Sequence, residues 1–287
     1  MEVLLMRVRL MSRSSALWMA PLLALLAVAC TTSPTGRAQF MLVSPQAAIS
    51  ASQQAYVATV GGFAQNNQLS RDRAVAARVR EVTGRVVHVA IEQFPSTADW
   101  AWSVAVIEDP KTVNAWCMAG GRMAVYTGLL EQLKLTDDEL AHIMGHEVSH
   151  AIANHTAEQM SRAMAADLAL QVGGAVVGAN QQQLSGAALA AQLALDLPNS
   201  RTAESEADQI GTELAIRAGY DPDAVLSLWQ KMGSIGGGQR PPEFLSTHPA
   251  PQSRQAALAE LIEGMRGLNP RGMRAPVHSI DVITAVR

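Results

Sequence analysis

The stretch Thr136-Asp-Asp-Glu139-Leu-Ala-His142-Ile-Met-Gly145-His146-Glu147-Val148-Ser149-His150 decides how the rest of the chain is read. Its last five residues have the spacing H-E-x-x-H. On a helix, residues four apart lie about 40° from each other on one face and roughly 6 Å apart along the axis, so two imidazoles reach a single metal ion. Glu147, beside the first histidine, is then placed to accept a proton from a water at an open coordination position, the arrangement of a zinc hydrolase. Thr136-Asp-Asp-Glu139 is a capping box ahead of an apolar run, so the spacing predicts a helix that starts at Thr136 and carries the motif inside it. Gly145 costs such a helix about 1 kcal/mol relative to Ala, which points to another backbone packed closely against it.

Outward from this helix, composition narrows the class. The chain has 287 residues, 48% hydrophobic and 16% charged, with a formal net charge of −3. That suits a globular protein with one large core or two small domains. Neither the charge balance nor any basic patch interleaved with aromatics offers a nucleic-acid footprint, so no nucleic-acid partner is expected.

Arg7, Arg9 and Arg13 precede an apolar run from Ala16 to Ala29, the pattern of a secretory signal peptide over residues 1–29. Leu26-Ala-Val-Ala-Cys30 resembles a bacterial lipobox. Cys30 is therefore expected to carry lipid, followed by a polar tether over residues 30–43. Thr31 after that cysteine favours the outer membrane, so the expected location is the periplasm, lipid-anchored. Cys117 is the other cysteine, and with Cys30 acylated no intramolecular disulfide is expected. Asp167, Gln171 and Asn180 interrupt the Ala/Gly/Val-rich stretch, so no further segment reaches the ~20 apolar residues that span a bilayer.

Along the chain, Ser44-Pro45 reads as a cap and first position of a helix running to about Val60. A second helix is expected from Ser70 to Phe94 on the spacing of Val75, Val79, Val82, Val86 and Val89. From Trp100 the period becomes two, through Trp102, Val104 and Val106. Two further apolar runs flank Gly120-Gly121, so a small sheet with a hairpin is expected. Leu129 to Lys134 reads as a short helix. Residues 157–196 read as two helices broken near Gly173 to Gly186, forming either close core packing or a mobile lid. A helix follows over 201–218, another from Asp221-Pro222, a flexible loop over 236–242, and a last helix from Gln252 to Met265. The tail, 269–287, has no strong pattern. The soluble part is expected to be one α+β domain, mostly helical around a small mixed sheet.

A catalytic zinc needs a third protein ligand. Glu204-Ser-Glu206-Ala-Asp208 offers two glutamates; Glu204 shares a helix face with Asp208, whereas Glu206 points about 160° away from it. Gly211 lies near the Glu204 face and would let this helix approach the one bearing His146. His146-Glu-Val-Ser-His150 and Ser200-Arg-Thr-Ala-Glu204-Ser-Glu-Ala-Asp208-Gln-Ile-Gly211 together resemble the HtpX-like and Ste-type CAAX prenyl endopeptidases, zincins of the gluzincin kind. The similarity also takes in Ser33-Pro-Thr-Gly-Arg37, Asn114 to Gly121, Val125 to Gly128 and Ser246-Thr-His-Pro249. It implies a zincin-type metallopeptidase domain over residues 44–268, Glu204 as third zinc ligand and Asp208 as support behind a ligand. The lack of spanning helices resembles the periplasmic lipoprotein branch of that family.

The resemblance implies a zinc endopeptidase acting on misfolded or misassembled envelope proteins, with one Zn²⁺ per chain. Glu147 would take a proton from the attacking water and return it to the leaving amine. His248 is expected to occupy the open metal position at rest and to swing out to stabilise the oxyanion. Substrate backbone would pair with an exposed sheet edge around Asn114 to Gly120. His88 is expected to be partly buried or at the surface; His142, too far along the axis, His155, off the motif face, and His278 are expected to be structural or solvated. Two alternatives stand beside this reading, a periplasmic chaperone or assembly factor on the same fold and a protein with a structural zinc.

Overall fold

The computed structural model describes residues 30–174, 185–235, 243–249 and 253–285. The expected signal peptide over 1–29 and the expected loop over 236–242 lie outside the described residues. Among the described residues the strands are β1 (Cys30–Thr32), β2 (Ala38–Phe40), β3 (Ser103–Ile107), β4 (Ala115–Met118), β5 (Arg122–Tyr126) and β6 (Asp281–Ile283). The α-helices are α1 (Pro45–Gln65), α2 (Arg73–Gln93), α3 (Thr127–Gln132), α4 (Asp137–Ile152), α5 (His155–Gly174), α6 (Gly186–Leu195), α7 (Arg201–Arg217), α8 (Ala224–Ile235), α9 (Glu243–Thr247) and α10 (Ser253–Met265). This is the expected α+β fold, mostly helical around a small mixed sheet.

Helix α4 is the axis of the domain. Its capping box is formed on both sides, Thr136 Oγ1 accepting from the Glu139 N–H and Glu139 Oε2 accepting from the Thr136 N–H. From Glu139 to Ile152 every residue is buried, although the stretch carries Glu139, His142, His146, Glu147 and His150 among its apolar and small residues. Glu139 remains ionised there because Lys231 and Ser227 of α8 both bond its carboxylate.

The sheet has the order β4-β5-β3-β6, with β4 and β5 antiparallel and β3 parallel to both β5 and β6. The period-two reading holds in detail. Val104, Val106, Ala115, Cys117, Met123 and Val125 join the core that contains α2, α4 and α7. The alternate residues Ala105, Ile107, Trp116, Met118, Ala124 and Tyr126 join a second core under α1 and α6. Gly120 and Gly121 turn the β4–β5 hairpin at φ +87° and +78°, a conformation in which a side chain on Gly121 would collide with the Trp102 ring.

Gly145 and Gly211 do what the sequence suggested. A Cβ on Gly145 would stand 2.5 Å from the Gly211 carbonyl oxygen, and one on Gly211 would stand 2.6 Å from the His146 nitrogen. Helices α4 and α7 therefore cross backbone to backbone, which brings Glu204 against His146 and His150.

The chain ends depart from expectation. Residues 30–43 are not a free tether: β1 and β2 pair antiparallel, and the Leu42 and Val43 N–H groups donate to Ser161 Oγ of α5. The tail is also anchored, because β6 adds to the sheet edge beside β3. Neither segment shows periodicity because each of these strands is only three residues long. No described helix is long and apolar enough to cross a membrane.

Candidate metal centre

Helix α4 presents His146, Glu147 and His150, α7 presents Glu204, and the end of α9 delivers His248. Ligand atoms of His146, His150, Glu204 and His248 lie within 4.8 Å of one another, all on buried residues. Five of the contacts fall between 3.0 and 3.4 Å. His150 Nε2 is 3.1 Å from His146 Nε2, His248 Nδ1 is 3.2 Å from His146 Nε2 and 3.0 Å from Glu204 Oε1, and both α4 histidines have Nε2 3.4 Å from a Glu204 oxygen. Four ligands about 2.0–2.1 Å from a tetrahedral ion stand roughly 3.3 Å apart, and these contacts, made through both Glu204 oxygens, approach that spacing with a nitrogen-and-oxygen donor set that suits such an ion. Glu147 lies alongside. Its Oε1 is buried with no hydrogen-bond partner, although His248 Nε2 approaches to 3.3 Å.

Behind each α4 histidine stands a hydrogen-bonded wall. His146 Nδ1 meets Asp208 Oδ1 at 3.1 Å; Arg254 grips both Asp208 oxygens at 2.6 and 2.7 Å and reaches Glu204 Oε2 at 3.0 Å. The Arg254 guanidinium stacks 3.8 Å over the Trp229 ring, which keeps its fork aligned. His150 Nδ1 meets His155 Nδ1 at 2.8 Å, and His155 Nε2 meets Glu206 Oε2 at 3.1 Å. Sequence reasoning passes over Arg254 and sets His155 aside as structural or solvated. His155 is buried and touches His150 because the chain turns at Asn154, φ +55°, before α5 starts; extending the α4 helix by counting misses that turn. Glu206 does point away from the ligand cluster, as the helical spacing requires.

Burial and these partners set the charges. Burial opposes a charged His146, but Asp208 and Glu204 outweigh it and raise its pKa to about 9. Burial drives His150 well below the usual imidazole value against the pull of Glu204, leaving a neutral ring. Burial works against Glu204 ionising, yet the surrounding histidines hold its carboxyl well below the usual range. Glu147 is raised above 4.5 chiefly by burial. Asp208 is lowered, its burial outweighed by His146 and Arg254.

His142, one turn ahead of the cluster, bonds the Asp221 carbonyl through Nε2 and takes no part. His88 pairs with Glu92 on α2, and the His278 backbone N–H bonds the Gly84 carbonyl. The expected open edge at Asn114 to Gly120 is corrected: β4 is the last strand of its sheet, but its residues are buried and α6 packs against it. Leu193 and Ala194 of α6 share the cleft lining with Trp116, Cys117, Glu147 and His248, around a void of about 20 Å³. That space holds a water and no peptide strand.

The family profile described as Peptidase family M48 matches residues 71–262, a span that contains every ligand candidate as well as Asp208 and Arg254. The chain belongs to peptidase family M48. Curated relatives of this M48 chain include the mitochondrial metalloendopeptidase OMA1 of Arabidopsis thaliana, 39% identical over 56% of this chain and 31% of that protein. The mitochondrial metalloendopeptidase OMA1 of Bos taurus is 32% identical over 79% of this chain and 45% of that protein. The metalloprotease YcaL of Escherichia coli is 31% identical over 52% of this chain and 58% of that protein. The chain thus spans about a third to a half of the length of these mitochondrial relatives. The enzyme class read from the sequence, a metalloendopeptidase and so a hydrolase, stands on this membership.

The periplasmic, lipid-anchored location does not stand. Relatives named as mitochondrial overturn it. The leading Arg7, Arg9 and Arg13, interspersed with Ser12, Ser14 and Ser15, also match the Arg- and Ser-rich composition of organelle transit segments, so those residues do not decide an address.

Proposed function

We propose that this M48 chain is a zinc-dependent endopeptidase that cleaves unfolded or misassembled proteins, with His146, His150 and Glu204 as ligands and Glu147 as the proton carrier. The observation that carries the reading is the clustering of four buried ligand side chains within 4.8 Å of one another beside the unpartnered Glu147 oxygen. When bound, the zinc would supply Lewis-acid polarisation of the scissile carbonyl and acidify the attacking water. The side chains do the rest. Glu147 accepts the water proton and passes it to the departing amine nitrogen, and burial, which raises its pKa, favours its holding the proton between the two steps. Asp208 and His155 hold the two imidazole rings with Nε2 facing inward.

In this conformation His248 is the fourth member of the cluster. Its ring stacks on Phe244 at 4.5 Å and the His248 backbone N–H donates to the Phe244 carbonyl, so α9 holds it there. The ring withdraws for substrate to enter, and from the withdrawn position it faces the carbonyl oxygen that gains charge. Residues of α6 must likewise leave the β4 edge before a substrate strand can pair with it. Pairing through backbone groups reads little side-chain identity, which is why unfolded segments are the substrate class favoured.

The test is Glu147→Gln. Bound zinc and cleavage of casein are measured on the same sample, with zinc expected to stay at one per chain and turnover to fall by about 10²–10⁴-fold. Near-wild-type cleavage by the zinc-loaded variant would overturn the mechanism, and protection of unfolded clients by that variant would favour a chaperone role.

A further inference from the structure

The second wall does not end at Glu206. Thr35 Oγ1 donates to Glu206 Oε1 at 2.6 Å, and Arg37 Nε donates to Glu206 Oε2 at 3.0 Å. The same Arg37 forks onto Glu158 of α5 at 2.7 and 3.0 Å. A tight turn presents both residues, closed by the Ser33 N–H to the Arg37 carbonyl and the Gly36 N–H to the Ser33 carbonyl, with Gly36 at φ +89°. Two residues on, Gln39 bonds the carbonyl of Ala153, the residue that ends α4 one turn after His150. The turn lies outside residues 71–262, the M48 stretch.

These contacts form a chain of donors and acceptors whose assignment follows once His150 Nε2 is taken as the lone pair that faces the metal position. Glu206, held ionised by Thr35 and Arg37, can only accept, so His155 must donate to it from Nε2. A neutral His155 that carries its proton on Nε2 has a lone pair on Nδ1. His150 must then carry its proton on Nδ1, and its Nε2 lone pair faces the ligand cluster, the state a metal requires. Without Glu206, nothing in the described contacts of His155 selects this tautomer over the other.

We propose that the turn Ser33–Arg37, acting through Glu206 and His155, positions ligand His150 and fixes its tautomer. The segment ahead of the M48 stretch is thereby a working part of the metal site. The inference rests on reading His150 as a ligand, and its test separates the two. His155, Glu206, Thr35 and Arg37 are positioning residues, since none belongs to the ligand cluster.

The experiment uses the full chain in four variants: His155→Phe, His155→Asn, Thr35→Val and Arg37→Gln. Zinc affinity is measured by competition with a chromophoric chelator, and histidine tautomers are read by nitrogen-15 NMR on the metal-free protein. His155→Phe keeps the ring volume and loses the acceptor, so zinc affinity should fall about 10–100-fold. His155→Asn, whose amide oxygen can accept from His150 Nδ1–H, should recover most of that loss, whereas a purely space-filling role would favour Phe. Thr35→Val and Arg37→Gln change residues at the surface turn and should each weaken zinc several-fold. In wild type the NMR spectrum should show His150 as the single Nδ1–H tautomer, and in Arg37→Gln a mixture. Unchanged zinc affinity in both turn variants, or an Asn variant no better than Phe, would overturn the proposal. If wild-type protein took up no zinc, the metal reading would fall, while a wild-type His150 locked as Nδ1–H and a mixture in Arg37→Gln would still support the positioning role.

Discussion

The two α4 histidines are backed differently. Behind His146 the carboxylate of Asp208 is in direct contact and one arginine, Arg254, ties that carboxylate to Glu204. Behind His150 the carboxylate of Glu206 is one imidazole further away, and its arginine, Arg37, comes from the amino-terminal turn. The direct contact makes His146 the more basic ring, with a pKa of about 9, while burial leaves His150 neutral. A direct carboxylate strengthens a ligand's donor power and charge; a relayed one chiefly fixes its tautomer and angle. One wall is made by helices packed beside α4, the other by a strap that wraps α5, so the site depends on two separate parts of the fold.

Glu204 is the point the two walls share, because its oxygens lie near both histidines and against Arg254. Glu204→Ala should therefore lower metal content more than damage to either wall alone, and it should leave Arg254 beside His146 without one of its counter-charges. Metal content after gel filtration, compared across the variants, measures this. A Glu204→Ala protein that retained the metal as well as Asp208→Ala would remove Glu204 from the ligand set.

Asp208→Ala should come next, with metal affinity falling about 10–100-fold. The direct wall predicts that this loss exceeds the one caused by Arg37→Gln in the relayed wall. Chelator competition on both proteins settles the order, and equal losses would mean that direct and relayed carboxylates act alike here.

The smallest effect concerns acid stability. In the second wall burial opposes ionisation of Glu158, but Arg37 and Arg162 outweigh it and lower its pKa from 4.5 to about 2; Glu206 is lowered as well, with His155, Thr35 and Arg37 outweighing its burial. A carboxylate whose folded pKa is depressed contributes stability that is fully present above its unfolded value and is lost as pH falls through the folded one. Wild-type melting temperature should thus drop between about pH 4.5 and about pH 2, and drop less steeply in Arg37→Gln. Parallel melting curves for the two proteins over that window would show that Arg37 does not hold these carboxylates ionised.

Much of this was written locally in the chain. The capping box of α4, the four-residue spacing of His146 and His150, the alternation from Trp102 to Val106 and the helix-face argument that separates Glu204 from Glu206 all depend on neighbours within a turn or a strand. Gly145 and Gly211 announced a close approach of backbones because a missing Cβ has few other uses inside a helix. What the sequence could not contain was any relation set by the meeting of distant segments. Arg37 lies 169 residues from Glu206 and Arg254 lies 46 from Asp208, and no local pattern marks an arginine as half of a buried pair. His155 looked irrelevant on a helical wheel because a single left-handed residue, Asn154, ends the helix and brings it back onto His150. The covering of β4 by α6 was likewise decided by packing, since a strand edge is open or closed only according to what the folded chain lays against it.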